Sequence, residues 1–542
     1  MPRPCRRDLA ALLLLLAALG GAFHALTSPV GMPSGDHVDF YLWVHQVHAE
    51  LAEGHWPQVL PDAIRGGGHA FPRFYPPLAQ AAAALAYPVT GNIVLASHLS
   101  VLAGVLLSAV TIFVLLRALG AGILAATLGA AVYCLFPYRA TQLYVRGAFA
   151  EGWAMAWYPL VMLGVVRWTR EGRLPWWWPL AVAATLLSHT ASSLWALPAI
   201  GLVGLLAAPR LPDAAAWRSL AGASALSIGL AAFSLLPVAW YLPGVRAAEP
   251  GLMAATVELI GATGNVWRRL GPVAALELVI VAGAIALIRA GRGKDDFSRL
   301  LGWGLLGHAA LLAMSAAPAG AWALVPQPWR YVQFGWRLLA PATFLAALAF
   351  GLLSMRFVTG AGRATVALAG ALIALGGAAR LRSEGLHDPS LTQSRIVPWI
   401  GLPYGDYGMT AQGDYLPREA NPDRLGPRIA FTRDSLEQAG ALTLDAHGRP
   451  ATVRTSGAAE VPLPLVAYDV FRVTDEGGRG VPTRSDAGQL VAIPAPTTRE
   501  LRISRRLPPV VGLGIAISLL SLGLVGAGAV LRKGDHSDPS IS

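Results

Sequence analysis

Two aspartates near the N-terminus, Asp36 and Asp39, are the residues of this sequence best suited to acid–base chemistry. They lie three positions apart in the run 34–39, so on a helix they share one face. A carboxylate at the mouth of a polar cavity can act as a general base towards a hydroxyl group, or can bind a divalent cation. The alternative is structural, because Asp36 could simply cap the helix that follows it.

Histidines are concentrated around these two aspartates. His45 and His48 are three positions apart, which is a spacing compatible with two ligands of one metal ion on a helix. An amphipathic helix with solvated histidines explains the same spacing, and no fixed pattern of metal ligands surrounds them. The sequence therefore predicts no particular metal-binding residue here.

A second polar patch, residues 136–151, contains Arg139, Arg146 and Glu151. Glu151 stands at the start of an apolar segment, where an ionised carboxylate is costly unless it is paired or hydrated. The two arginines could pair with Glu151 and close a loop. They could equally bind a phosphate group through two parallel hydrogen bonds.

Two further polar interruptions carry His189 and Arg337. His189 lies in an apolar stretch, residues 180–208, where a tight turn accounts for its Ser and Thr neighbours better than for the histidine. Arg337 follows an aromatic-rich run and enters another apolar segment. It could face a phosphate from inside a helix bundle, or extend to the membrane interface beside the neighbouring Trp and Tyr side chains.

The composition indicates what kind of protein positions these residues. Of 542 residues, 54% are hydrophobic and 13% are charged, and the mean hydropathy is +0.51. Soluble proteins carry about a quarter charged residues. The apolar residues here form long, charge-poor blocks that are typical of membrane-spanning helices. This excludes a soluble enzyme and predicts a polytopic α-helical membrane protein.

Nucleic-acid binding is not indicated, although the net charge is +11. The arginines lie in short clusters between apolar blocks, without a dense basic stripe or interleaved aromatic residues. The sequence also contains no phosphate-binding loop, no dinucleotide-binding fingerprint and no nucleophile elbow.

About twelve apolar segments are long enough to be membrane spans. They are predicted at residues 9–23, 93–117, 121–137, 150–168, 176–190, 191–208, 219–241, 273–290, 301–317, 336–355, 364–380 and 508–531. The apolar segment 77–90 is short for a crossing, and we predict a juxtamembrane helix there. With that segment outside, Arg and Lys are more frequent in the loops assigned to the cytoplasm, as the positive-inside rule requires. Both termini are therefore predicted to be cytoplasmic.

These spans divide the chain into five parts. They are an uncleaved first helix (1–26), a first extracytoplasmic loop with juxtamembrane helices (27–92), a transmembrane bundle (93–380), a small β-rich extracytoplasmic domain (381–507), and a last helix with a cytoplasmic tail (508–542). The β-rich domain is predicted from alternating runs at 451–455, 465–473 and 489–493, separated by turn residues. Under this one topology all four polar patches face outward, which predicts one cavity for an anionic substrate.

The same patches resemble motifs of a bacterial membrane-protein family called 6-pyruvoyl-tetrahydropterin synthase-related. Residues 34–43 and 74–78 resemble its first-loop signature. Residues 143–151, 187–190 and 333–337 resemble its later motifs, and 413–417 resembles a motif of its external domain. Nothing in the chain resembles a pterin synthase itself. The architecture of that family is similar to the GT-C superfamily of integral membrane glycosyltransferases, so the resemblance implies a GT-C-like bundle.

The resemblance implies the transfer of a sugar from a polyprenyl-phosphate donor to an extracytoplasmic acceptor, on the outer face of the bacterial cytoplasmic membrane. It implies a catalytic role for Asp36 or Asp39 and a supporting role for Glu151. The residues then predicted to bind substrate are His37, Tyr75, Arg139, Arg146, His189 and Arg337. The family pattern reads Gly-His-Asp where this chain has Gly-Asp-His at 35–37, so the choice between the two aspartates stays open.

The implied partners are the lipid-linked sugar donor and membrane lipids, and the implied cofactor is a divalent cation, Mg²⁺ or Mn²⁺. Two alternatives remain open. One is a non-catalytic transporter or scaffold for the assembly of envelope glycans or lipids, and the other is a family member that has lost catalysis. A transporter should show paired internal repeats and broken helices near the middle of the membrane. The sequence shows no convincing repeat, and its polar patches map to one face, which favours the enzyme.

Overall fold

Membrane helices form most of the structure, and a small β-rich domain lies at one end of them. The computed structural model of the protein describes residues 6–33, 35–209, 212–248, 296–330, 334–356, 387–397 and 415–534, together with Gly370. The helices are α1 (Arg6–Ala22), α2 (Gly35–Ala52), α3 (Ala63–Gly66), α4 (Phe71–Phe74), α5 (Leu78–Thr90), α6 (Ile93–Ala118), α7 (Ile123–Leu135), α8 (Pro137–Ala140), α9 (Phe149–Glu171), α10 (Trp178–Ser188), α11 (Thr190–Leu206), α12 (Ala214–Leu230), α13 (Ala232–Tyr241), α14 (Asp296–Ser315), α15 (Ala319–Ala323), α16 (Gln327–Arg330), α17 (Leu339–Arg356), α18 (Gln393–Ile396), α19 (Pro422–Gln438) and α20 (Pro509–Gly534).

Six helices within the described ranges are long and apolar enough to cross a membrane, or seven if α12 and α13, which meet at 77°, count as one bent span. The chain is therefore a multi-pass membrane protein. The spans predicted at 9–23, 176–190 and 191–208 form the shorter helices α1, α10 and α11, of 17, 11 and 17 residues. The spans predicted at 273–290 and 364–380 lie outside the described residues. The predicted bundle of about twelve helices is thus confirmed only in part.

The first loop begins and ends on the same side of the bundle. Asp8, in the first turn of α1, pairs with Arg117, in the last turn of α6, with Nε and Oδ1 2.9 Å apart. At the opposite ends of these two helices, His98 Nδ1 donates to the Ser28 carbonyl at 2.8 Å. The helices α1 and α6 are therefore antiparallel. The helix α5 has 13 residues, about 20 Å at 1.5 Å per residue, which is shorter than the hydrocarbon core of a bilayer. Its juxtamembrane position stays a prediction.

A tight turn between α5 and α6 connects the first loop to the bundle. Gly91 ends α5 in the left-handed conformation, with φ +62°, which glycine adopts without steric cost. The next residue, Asn92, is the N-cap of α6, and its Oδ1 accepts from the Leu95 amide at 2.9 Å. The orientation of α5 against α6 follows from these two residues.

The β-rich domain consists of two antiparallel sheets and the helix α19. The strands are β1 (Leu442–Leu444), β2 (Pro450–Arg454), β3 (Val461–Val466), β4 (Phe471–Asp475), β5 (Thr483–Asp486), β6 (Gln489–Ala492) and β7 (Glu500–Arg505). Their order is β1-β2-β7-β4 in one sheet and β3-β6-β5 in the other. The predicted runs at 451–455 and 489–493 coincide with β2 and β6. The prediction of one continuous run at 465–473 is wrong, because this segment ends β3, turns and begins β4. The helix α19 was not predicted.

Ion pairs attach this domain to the first loop. Arg449, which directly precedes β2 and is 7% exposed, pairs with Glu53 at 2.9 Å and with Asp62 at 2.6 Å. Arg505, in β7, pairs with Glu53 at 2.7 Å. Burial raises the pKa of Glu53, but the hydrogen bonds from the two arginines outweigh burial and bring that pKa below its usual range. The domain and the first loop therefore lie on one side of the bundle. We call it the external side because the sequence predicts that it is extracytoplasmic.

Candidate functional site

A buried carboxylate pairs with an arginine at the external end of the bundle. Glu151, in the first turn of α9, has a fully buried side chain. Its Oε2 accepts from Arg146 Nη1 at 2.9 Å and its Oε1 accepts from the Tyr138 hydroxyl at 3.1 Å. Arg146 Nη1 also donates to the Tyr138 oxygen at 2.8 Å. Within the described residues, Nη2 and Nε of Arg146 have no hydrogen-bond partner, so the arginine pairs locally and retains donors for a ligand.

Ser192 connects this pair to His189. The Ser192 hydroxyl donates to Glu151 Oε1 at 3.1 Å and lies 2.9 Å from His189 Nδ1. His189 caps α11, because its Nδ1 accepts from the Ser192 amide at 3.2 Å. A neutral imidazole whose Nδ1 accepts a hydrogen bond carries its proton on Nε2. We refer to Tyr138, Arg146, Glu151, His189 and Ser192 as the polar cluster.

A π-helical turn, residues 141–146, places the polar cluster against the start of α2. His37 is fully buried on α2, and its Nε2 donates to the Leu143 carbonyl at 2.6 Å. Burial lowers the pKa of His37 to about 4, so its ring is neutral at physiological pH. His37 faces the protein interior and fastens α2 to the turn. It was predicted to bind substrate, and its observed position is that of a positioning residue.

Gly147 allows this contact between the turn and α2. Its φ is +70°, and a Cβ at this position would lie 2.6 Å from the His37 amide nitrogen. Gly172 has the same φ with nothing within 4 Å of an added Cβ, so it provides a matched control. The left-handed conformation alone costs an L-residue roughly 1–2 kcal/mol.

We expect Gly147→Ala to lower the thermal unfolding midpoint clearly more than Gly172→Ala. Of the two added Cβ atoms, only the one at position 147 would collide with the backbone of another segment. Thermal unfolding of both purified variants, followed by tryptophan fluorescence, measures the difference. Equal midpoints for the two variants would show that the contact between Gly147 and His37 does not determine the position of α2.

The two aspartates on α2 have different surroundings. Asp36 is exposed, yet it is recessed among protein atoms, and burial raises its pKa while Arg146 and Arg337 partly oppose that rise. Asp39 is 8% exposed, and its pKa is raised well above the usual range by burial and by the neighbouring charge of Asp36. A protonated Asp39 is therefore favoured, and Asp36 is the better candidate for a carboxylate that meets a ligand.

Arg337 and Tyr75 lie near Asp36. Arg337 lies in a 3₁₀ turn, Gly335–Leu338, with Cζ 5.1 Å from the centre of the Phe334 ring. It is close enough to Asp36, Glu151 and Arg146 to interact with their charges. Tyr75 stacks on Phe71 with ring centres 4.6 Å apart, and it lies within electrostatic reach of both Arg337 and Asp36. Sequence positions 36, 75, 146, 151, 189 and 337 thus lie in one region around Asp36, which we call the recess.

Arg139 is directed elsewhere, although it was predicted to bind substrate. Its side chain is fully buried, with Nη1 donating to the Gly152 carbonyl at 3.0 Å and Nη2 to Ser108 Oγ at 2.5 Å. It therefore joins α6 and α9 inside the bundle. Sequence analysis missed Tyr138 and Ser192. Two features of the sequence could have indicated them. Tyr138 directly precedes Arg139, and Ser192 follows His189 by three positions, a spacing that places both on one face of a helix.

Within the described residues, Asp36 is not part of a group of three or more His, Cys or acidic side chains with converging ligand atoms. In the part of the chain that the structure describes, one such group has converging ligand atoms. It consists of Glu50, Glu53 and His55. Arg449 and Arg505 already neutralise the two glutamates of that group. The Mg²⁺ or Mn²⁺ ion therefore stays a prediction.

Comparisons with known proteins give a limited result. No family model matches the chain, so the resemblance to the 6-pyruvoyl-tetrahydropterin synthase-related family gains no support there. No curated protein matches it either. Among solved structures, the chain is similar to the arabinofuranosyltransferase AftD from Mycobacteria, determined by single-particle cryo-EM, with a TM-score of 0.45 and 15% sequence identity. The match covers 89% of this chain but 40% of AftD, so the chain spans less than half the length of that protein.

Proposed function

We propose that the protein is an integral membrane glycosyltransferase of GT-C type, which transfers a sugar from a polyprenyl-phosphate donor to an acceptor outside the bacterial cytoplasmic membrane. The observation that carries this proposal is the recess at the external end of the bundle. There the carboxylate of Asp36 lies within electrostatic reach of Arg146 and Arg337. The acceptor is an envelope glycan, lipid or protein, and both chain termini are cytoplasmic.

The recess can provide both halves of a glycosyl transfer. The oxygen of the acceptor hydroxyl attacks the anomeric carbon, and its proton passes to an Asp36 carboxylate oxygen. The bond between the anomeric carbon and the phosphate oxygen breaks, and its electron pair stays on the lipid phosphate. The Arg146 Nη2, the Arg337 guanidinium and the His189 Nε2–H are donors that can stabilise the charge developing there.

Glu151 has a supporting role in this proposal. Its carboxylate accepts a hydrogen bond from Nη1 of Arg146 and so orients the guanidinium. The Nη2 and Nε groups are left to bind the phosphate. Through Ser192 it also holds the ring of His189. Arg146 and His189, two of the three proposed phosphate-binding side chains, are therefore held in place before the donor binds, which reduces the reorganisation needed in the transition state.

The alternative is a non-catalytic transporter or scaffold for envelope glycan or lipid assembly that uses the recess only for binding. The bent pair α12–α13 favours it, because broken helices are common in transporters. The polar cluster is at one end of the bundle instead of its middle, which favours the enzyme. Donor binding without sugar transfer in a reconstituted system would support the transporter or scaffold.

The proposed donor site is tested by the binding of decaprenyl phosphate to the purified full-length protein. We expect Arg337→Gln to weaken binding at least about tenfold, because a hydrogen bond to a charged group contributes roughly 1.5–3 kcal/mol. Arg330→Gln is the control, since Arg330 donates to the Val325 and Ala323 carbonyls at 2.5 and 2.6 Å. Native mass spectrometry gives the bound fraction. Equal binding of decaprenol, which lacks the phosphate, would contradict the proposal.

A further inference from the structure

An apolar groove lies next to the recess, and Tyr75 borders both. The groove has a cavity volume of about 200 Å³ and is open on one side. Its walls are Val47 and Leu51 of α2, Leu78 and Ala81 of α5, and Phe233 of α13. Because α2 and α5 belong to the first loop, the groove opens on the external side of the membrane.

The rim of the groove is suited to contact with lipid. Leu51 is 43% exposed and Trp56 is 41% exposed, and both line the opening. Large apolar side chains grouped around an opening are unfavourable in water. Tryptophan is enriched where the hydrocarbon and headgroup regions of a membrane meet. A groove with this rim at the external end of the bundle is therefore accessible to the chains of membrane lipids.

Gln80 distinguishes one class of lipid from another. Its side chain lines the groove and is 4% exposed, and neither Oε1 nor Nε2 has a hydrogen-bond partner within the described residues. The other long polar side chains of the lining are bonded, since Arg73 donates to Asp469 at 2.8 Å and to Gln58 at 3.3 Å. Buried amides without partners are rare in folded proteins, so a ligand that can hydrogen bond is implied at Gln80.

The hydrocarbon chain of a polyprenyl donor provides neither a donor nor an acceptor along its length. An acyl glycerolipid has an ester carbonyl, which can accept from Gln80 Nε2, and a hydroxyl of its headgroup can donate to Oε1. We propose that this groove binds one acyl chain of a membrane glycerolipid, with the ester carbonyl at Gln80. The bound chain packs between α2, α5 and α13 and stabilises the position of α2, which carries Asp36.

The test uses phosphatidylglycerol with a diazirine in one acyl chain, mixed with the purified full-length protein in detergent micelles. After illumination, the crosslinked peptides should come from α2 and α5. Unlabelled diacyl phosphatidylglycerol should compete roughly three- to tenfold better than its ether-linked analogue, as expected for one hydrogen bond. In Gln80→Leu this preference should disappear while labelling persists, and the thermal unfolding midpoint should not fall, because the substitution removes a buried unpartnered amide.

Two tryptophan substitutions on α5 provide the matched pair. Ala81→Trp fills the groove and should reduce labelling at least about fivefold, since a filled site has no room for a chain. Leu85→Trp changes a side chain that is 75% exposed and does not line the groove, so labelling should be unchanged. Labelling that survives Ala81→Trp, or an ester preference that survives Gln80→Leu, would overturn the proposal. Displacement of the probe by decaprenyl phosphate in preference to the diacyl lipid would assign the groove to the donor chain instead.

Discussion

Replacing Asp36 by Asn is expected to lower kcat/KM for sugar transfer by about 10²- to 10⁴-fold, which is the usual contribution of a positioned general base. Asp39→Asn is the matched control on the same helix face. Burial favours the protonated form of Asp39, and an asparagine amide has nearly the same shape and charge as that form. We therefore expect Asp39→Asn to retain most of the activity.

The measurement is transfer from a polyprenyl-phosphate sugar by each variant, reconstituted in vesicles at equal amounts of folded protein. The pH profile adds an independent test. Asp36 must be ionised to accept a proton, and its pKa is raised from the usual 3.8 by burial. Activity should therefore fall on the acid side as the pH decreases through a pKa above 3.8. If Asp39→Asn is inactive and Asp36→Asn is active, the roles assigned to the two aspartates are reversed.

Hydrophobicity along the sequence was sufficient to find most of the described membrane helices. The helix α6 contains no charged residue before Arg117, so its prediction required nothing but composition and length. The short segment that forms α5 was predicted to be juxtamembrane because 13 residues are short for a membrane crossing. The turn that separates β3 from β4 was missed, because residues 465–473 are mostly apolar and contain no glycine or proline to mark a break.

The candidate site was only partly predictable, because its contacts depend on tertiary structure. Arg146 and Glu151 are five residues apart, so their pairing was one of the alternatives that the sequence offered. Ser192 and Glu151 are on different helices, and no local pattern indicates their hydrogen bond. Arg139 and Arg146 are seven residues apart and would share a face of a regular helix. The π-helical turn changes the helical phase between them, so one enters the bundle and the other faces the recess.

The polar cluster leads to the second large expected effect, that of Glu151→Gln. Gln retains the shape of the side chain and can still accept from Tyr138 and Ser192, but it removes the negative charge opposite Arg146. The pair is buried, with the Arg146 side chain 16% exposed and that of Glu151 fully buried. Removing one partner of a buried ion pair costs about 3–5 kcal/mol, and we expect a comparable loss in the free energy of unfolding.

The loss of activity in Glu151→Gln should exceed what reduced stability explains. Arg146 without Glu151 is expected to turn towards Asp36, the other carboxylate within its electrostatic reach. That interaction would lower the pKa of Asp36 and make it a weaker base, so the acid side of the pH profile should move to lower pH as the rate falls. Transfer assays on the folded fraction across a pH series measure both effects.

Two controls separate the buried pair from surface charge. Glu460→Gln removes one partner of the surface pair between Arg484 and Glu460, whose side chains are 43% and 50% exposed, and pairs of this kind contribute about 0–1 kcal/mol. The double variant Arg146→Gln/Glu151→Gln removes both charges and should recover part of the stability lost in Glu151→Gln. The single variant Arg146→Gln completes the comparison. If the stability lost in the double variant equals the sum of the losses in Arg146→Gln and Glu151→Gln, the two residues are not coupled. Glu151 then cannot act on the lipid phosphate through Arg146.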